Sequence, residues 1–409
     1  MFATKDRMPE TNQESIKVST ESAQTDGGPD ISLVRGGPFY HAQEKARLIR
    51  PGRWNLGRRM LFLIAIGWLP LVVLTALFHP HSLMSLLRGY HVYARVVIAA
   101  PVLLAGQMLM ETRFRMVVQH VRDAKLLGAD DLAIMNRVIA TLAHWSDSWL
   151  PELLILVLGY VNTAALWQTR LAEHWEWGII GTGAAAHITP AGWYYGLVSQ
   201  MIYRFLLGLS LWKWLLWTFY MFRLSRLDLK LVATHPDHHG GIGFLGLSPM
   251  GFSPIAFAIC AAIGSNWRGQ ILHAGAHLAT FKIQALVLLA VLLIVALGPL
   301  VFFVPRLARL RRAGIMQYGI LAQIHSTDFH EKWIVHRVGH EEEFLTAPEA
   351  STLTDYGSSY ENIEAMQPFP FDKGALVSLV IAIIVPMIPV VLAQIPLAVV
   401  LKDLLEAVR

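Results

Sequence analysis

Seven apolar runs divide this 409-residue chain. They fall near 60–78, 92–110, 150–167, 193–222, 249–264, 283–304 and 376–400, and most approach the about 20 residues that an α-helix needs to cross a bilayer. Hydrocarbon offers no water to a backbone amide, so such segments must be helices that satisfy their own amides and carbonyls. The expected fold is all-α: a polytopic helical transmembrane protein with about seven spans and amphipathic helices on the cytoplasmic side. Composition argues the same way, with 54% hydrophobic against 15% charged residues.

Residues 1–52 are polar and rich in Ser, Thr, Gln and Glu, which implies a disordered cytoplasmic tail. Residues 53–409 then form a single transmembrane domain with cytoplasmic loops 111–148, 223–248 and 305–375. Basic residues set this orientation. Arg53, Arg58 and Arg59 precede the first span, Arg223, Arg226 and Lys230 follow the fourth, and Arg306, Arg309, Arg311 and Arg312 follow the sixth. The opposite flanks hold only Arg88, Arg170, Arg268, Lys282, Lys402 and Arg409. Positive charge stays on the cytoplasmic side, so the N-terminus is expected there, in a bacterial inner (cytoplasmic) membrane. The net charge of +5 therefore reports orientation, and nucleic acid is excluded as a partner. Cys260 stands alone, so no intrachain disulfide and no cysteine metal cage can form.

Finer expectations follow from local pattern. Residues 111–127 read as a helix that leaves the membrane along its cytoplasmic surface, charged on one face and apolar on the other (Phe114, Val117, Val118, Val121, Leu126). The loop 168–192 places Trp175, Trp177 and His187 at headgroup level. Residues 265–282 form an outer loop after a short fifth span, and helix continues from 305 to about Glu343. Ser358 and Glu361 in SSYE read as a capping box that starts a short helix. Pro386, Pro389 and Pro396 kink a last segment that must cross as one, since neither half alone reaches spanning length.

The most specific local signal is THPDHHGGIGFLG, Thr234 to Gly246. Side-chain ligands His235, Asp237, His238 and His239 lie beside the bare amides of Gly240, Gly241 and Gly243, a composition that suits a divalent metal or an oxyanion. The same residues also make a turn. Pro236 fixes one φ, Asp237 can bond the backbone two residues on, and the glycines admit left-handed conformations. Adjacent side chains cannot all face one ion without a bent backbone, which favours the structural turn.

HPDHHGGIGFLG after a basic helix end, then a proline-led span, then DYGSSYENIEAMQPFPFD (355–372) before a proline-rich last helix, together resemble a family of uncharacterised bacterial multi-pass inner-membrane proteins. The family form reads HPDxxGG[LI]GFL, with GSSYE…PFPF later, and the resemblance covers the second half of the chain. Its two variable positions are His238 and His239 here, so a metal site that used them would be peculiar to this protein. The resemblance implies a multi-pass membrane fold and brings no activity with it.

Arg95, Arg204 and Lys213 lie inside apolar runs that contain no Asp or Glu. Each costs about 2.5 kcal/mol or more in a bilayer, so something must compensate it, and an uncompensated positive lining would suit an anion. Arg204 and Lys213 are nine residues apart, on opposite faces of an ideal helix. His273 and His277 are four apart and would share one face if their loop is helical, a spacing that suits a metal. No histidine falls deep inside a span, which argues against haem held between two transmembrane histidines. The expected function is a channel or transporter-like membrane protein for a small anionic solute. The alternative is a non-transporting integral membrane subunit that binds a partner or a divalent metal through its cytoplasmic loops. No complete catalytic motif is present, and the expected partners are membrane lipids with a second copy or a membrane-complex protein.

Overall fold

The computed structural model describes residues 32, 36–49, 55–165, 177–181, 187–335 and 348–394. The fold is all-α. In chain order its elements are α1 (Pro38–Lys45), α2 (Leu56–Phe78), α3 (Leu83–Arg88), α4 (Tyr90–Asp123), α5 (Ala129–Asp147) and α6 (Trp149–Ala165). A two-residue hairpin pairs β1 (Ile179–Ile180) with β2 (His187–Ile188). Then come α7 (Pro190–Arg226), α8 (Gly243–Ala274), α9 (Leu278–Val301), α10 (Val304–Phe329), α11 (Pro348–Glu364) and α12 (Lys373–Val391).

Six of these, α2, α4, α7, α8, α9 and α12, are long and apolar enough to cross a membrane alone. The third expected span is not one of them: α6 has 17 residues and passes only together with α5, across a 46° bend, giving a seventh crossing if that bent pair is one span. Burial sorts the six into two layers. The apolar stretches of α4, α7 and α8 are 61, 50 and 67% buried, whereas those of α2, α9 and α12 are only 17, 22 and 28% buried. The outer helices present Leu61, Leu77, Ile283, Leu286 and Ile294 to the exterior. A surface so apolar is stable against lipid and not against water, and the chain is a membrane protein.

At the centre α4 and α8 run antiparallel in a continuous register. Arg95 bonds Asn266, a Cβ on Gly106 would lie 2.6 Å from Pro254, one on Gly251 would lie 3.6 Å from Met110, and Arg113 reaches Met250. Buried Ala99 and Ala100 of α4, with Ala258, Ala261 and Ala262 of α8, allow this approach, as small residues do where helices associate in lipid. The α4 helix is also longer than the second expected span. It continues without a break to Asp123, and the predicted apolar face (Phe114, Val117, Val118, Val121) is buried against α5 and α7 residues Met135, Trp217 and Tyr220.

Several expectations are corrected. Residues 38–45, assigned by composition to a disordered tail, form α1, docked through Phe39 on Phe205 at 5.1 Å. Trp177 does not float at headgroup level: it is 1% exposed, stacked on His91 and edge-on to Tyr195. The α8 helix runs to Ala274, ten residues past the expected end at 264, after a 3-10 approach over Gly243–Gly251. Ser358 and Glu361 cap nothing, because α11 begins at Pro348 and holds both in its interior. The first half of the last segment needs no second half, since Lys373–Val391 is already 19 residues long. Residues 395–400, which carry Pro396, and 336–343 of the expected long helix lie outside the described residues.

Candidate functional site

The HPD turn folds around the Asp237 carboxylate. Its Oδ1 accepts the backbone amides of His239 at 2.9 Å and Gly241 at 3.1 Å, its Oδ2 accepts that of Gly243 at 2.8 Å, and His235 Nδ1 lies 2.8 Å from Oδ1. Burial works to push this carboxyl up, but the three amides and His235 outweigh it and hold the group below the usual carboxylate range. His238, Gly240 and Gly241 have φ of 55°, 68° and 93°, the left-handed turns that bring successive amides onto one carboxylate. Pro236 precedes them in the turn.

That turn is a junction for the helices around it. Gln367 N donates to His238 O at 2.9 Å, and His239 Nδ1 lies 3.0 Å from Gln367 O. A Cβ on Gly246 would fall 2.8 Å from Asp372 N and 3.0 Å from Phe371 C, so only glycine lets the two chains touch there. GGIGFLG and QPFPFD, more than a hundred residues apart in sequence, are thus in contact. Upstream, Arg306 Nη2 pairs with Asp228 at 2.6 Å and Lys230 N donates to Leu126 O at 2.8 Å, which ties α10 and the end of α4 to the same segment.

The geometry does not gather the proposed metal ligands. Asp237 is occupied by backbone, His239 turns to Gln367, and only His235 remains at its side. His273 and His277 do not share a helix face, because α8 ends at Ala274, Gly275 is left-handed and His277 is extended, with Nδ1 3.5 Å from Gln394. Among the described residues no three His, Cys, Asp or Glu side chains form a group that could hold a metal.

The three intramembrane cations are held separately. Arg95 donates to Tyr195 Oη at 3.2 Å and Asn266 Oδ1 at 2.6 Å. Both Arg95 and Tyr195 lie in π-helical turns, Tyr93–Ala99 and Tyr195–Ser199, and such bulges concentrate at functional sites. Arg204 donates to the Thr163 hydroxyl and the Gly159 carbonyl of α6. Lys213 is 2% exposed and donates to Ser146 Oγ at 2.5 Å, at the bend between α5 and α6. Although 204 and 213 leave α7 on opposite faces, the bent pair receives both. A single path lined by all three is not what the helices build.

Nor is Lys213 without carboxylates, as its own span implied. Glu152, Glu111 and Asp147 act on it from neighbouring helices, but each is engaged elsewhere: Glu152 by Phe39 N, Glu111 by Arg115, Asp147 by Gly37 N and His41. Beside Lys213 lies a cavity of about 10 Å³ lined by Met110, Arg113, Lys213, Trp214, Trp217, Ser248 and Gly251. Two donors on the residues that line it have no acceptor among the described residues, Arg113 Nε and the indole Nε1 of Trp217, which is 4% exposed. Among the described residues Arg113 otherwise donates to thioethers, Met250 at 3.3 Å and Met116 at 3.9 Å. One turn away, buried Gln107 Nε2 and Ser253 Oγ are also unpartnered. The sequence analysis singled out neither Arg113 nor Trp217. The only signal was spacing: Gln107, Met110 and Arg113 recur at three, one face of α4.

Compared with protein-family models, with curated proteins and with solved structures, the chain matches none.

Proposed function

We propose that this membrane protein binds a small inorganic anion and passes it along the seam between α4 and α8. The observation that carries the reading is the distribution of donors on that seam. Arg95 and Arg113 stand 18 residues apart on one helix, a rise of about 27 Å, close to the roughly 30 Å of a hydrocarbon core. Each end of the seam therefore carries a guanidinium, Lys213 adds a second cation at the Arg113 end, and Gln107 and Ser253 lie between. Buried donors without acceptors are costly in lipid, and an anion is the ligand that satisfies them. Between Arg95 and Gln107 the seam is closed by Ala99, Ala100 and Leu103, so passage requires α4 and α8 to part.

That closed stretch is also what favours the second reading, a non-transporting membrane subunit whose partner docks on the HPD junction. Placement in a bacterial inner membrane with the N-terminus in the cytoplasm belongs to the proposal, supported by basic Arg223, Arg226, Lys230 and Arg306 at the junction end. So does membership of the resembled family, supported by the contact between its two motifs.

Purified protein in vesicles loaded with halide should release it several-fold faster than empty vesicles, and Arg95→Gln or Lys213→Gln should reduce that release while the helical spectrum is unchanged. Silent vesicles containing folded wild type would leave the subunit reading.

A further inference from the structure

We infer that the outer face of α10 is the surface on which two copies of this chain pair, antiparallel about Ile320. The inner face of the helix is taken: Cβ atoms on Gly314 and Gly319 would meet Ile363 and Tyr360 of α11, and His325 stacks on Tyr356. Opposite it, Met316, Ile320 and Ile324 form a stripe at every fourth residue, 67, 62 and 52% exposed. Lipid does not account for this stripe. α10 is not among the helices long and apolar enough to cross a membrane, and its acidic end, Asp328 and Glu331, is unsuited to a headgroup surface, which favours basic residues along the whole face.

The symmetry of the pattern selects a second copy. Eleven residues make about three helical turns, so Arg309, Ile320 and Glu331 fall on one line along α10. Turned end for end about Ile320, the face matches itself: Ile320 lies on Ile320, Met316 on Ile324, Ala313 on Thr327 and Arg309 on Glu331. All of these residues lie within about 40° of Ile320 around the helix, and all are exposed. Such a contact is isologous, so each charge pair occurs twice, whereas parallel pairing would set Arg309 against Arg309. The other arginines of α10 are engaged, Arg306 with Asp228 and Arg311 with Glu364 O, while among the described residues Arg309 and Arg312 donate only to carbonyls of their own preceding turn. Exposed charge pairs add little energy and set the register, and the apolar stripe supplies the contact.

Two copies in one membrane are related by a two-fold along its normal, so antiparallel pairing needs α10 to lie across the end of the bundle. Arg306 bonds Leu227 O, just past α7, and Cβ atoms on Gly240 and Gly314 would meet Leu310 and Ala233. The helix thus follows residues 227–240, which pass the end of α4 where Lys230 N donates to Leu126 O. The pairing is independent of the anion-passing reading.

Cysteines placed on the face test it, because buried Cys260 is the one native thiol. With full-length protein in lipid vesicles, Ile320→Cys should form a disulfide-linked dimer under mild oxidation, and Ser326→Cys, exposed but off the face, should not. Met316→Cys and Ile324→Cys should each cross-link about tenfold less alone than when the two variants are co-expressed. Arg309→Glu should lower the Ile320→Cys dimer yield several-fold, and adding Glu331→Arg should restore it. Both positions are exposed, so an unchanged helical spectrum and thermal midpoint separate lost pairing from lost folding. Met316→Cys linking to itself as well as to Ile324→Cys marks parallel pairing, and Ile320→Cys that stays monomeric marks a face covered by lipid or another protein. A dimer indifferent to the charge reversal marks a different register; each of these three results overturns the inference. Halide release is no part of the readout, so silent vesicles leave the pairing intact, and a monomer leaves passage intact.

Discussion

Asp237 organises more backbone than any other carboxylate described in the chain. The second residue after it supplies the first amide, His239 N, which is the Asx-type bond that an HPD sequence leads one to expect. What the sequence could not show is that Gly241 and Gly243 would add two more, because that depends on left-handed backbone at His238, Gly240 and Gly241. Hydrogen bonds to a charged group contribute about 1.5–3 kcal/mol each before loop relaxation, so Asp237→Ala should destabilise the protein by about 2–3 kcal/mol. The sign with pH follows from linkage. A carboxyl held below its unfolded value of about 3.9 contributes stability that is complete above that value and is lost as pH falls through the folded pKa. Thermal midpoints of wild type and Asp237→Asn should therefore differ at pH 7, keep that difference down to about pH 4, and converge only as pH falls further through the depressed folded pKa. Gly246→Ala belongs to the same scale: its Cβ would collide with backbone at Phe371 and Asp372, and the midpoint should fall without any change in the isolated HPD turn.

Among the elements, α4 shows where pattern reading stops. Its apolar run and its amphipathic continuation were both legible, but not that they are one helix of 34 residues. A charged residue at 111 ends a hydropathy run, yet Glu111 is buried and paired with Arg115, so the helix has no reason to end there. The capping pattern at Ser358 failed for a related reason: SSYE has the right residues, but Pro348 at the first turn supplies an earlier start. Pairings such as Lys213 with Ser146, 67 residues away, or Arg95 with Asn266, 171 away, are tertiary facts that no window contains. The tightest point on the seam is Gly106 against Pro254. Gly106→Val should force the two helices apart at that level, at a cost of about 1–3 kcal/mol, and should change the rate of halide release in vesicles. An unchanged rate would detach passage from this seam.

On the scale of the whole molecule, the proposed orientation puts the HPD junction and the α8 end at His273 on opposite faces of the membrane, because α8 is long and apolar enough to cross it. Cys260, the one native cysteine, is fully buried and gives little background. In intact cells a membrane-impermeant thiol reagent should label His273→Cys and spare Lys230→Cys; the reverse pattern would invert the protein. The same architecture makes an electrical statement, since a seam with a guanidinium at each end and Lys213 beside one of them repels cations. The most direct measurement is the reversal potential of purified protein in a planar bilayer under a potassium chloride gradient. The account predicts a potential near the chloride equilibrium value, shifted toward zero by Lys213→Gln; a potential near that of potassium, or no current from folded protein, would contradict it.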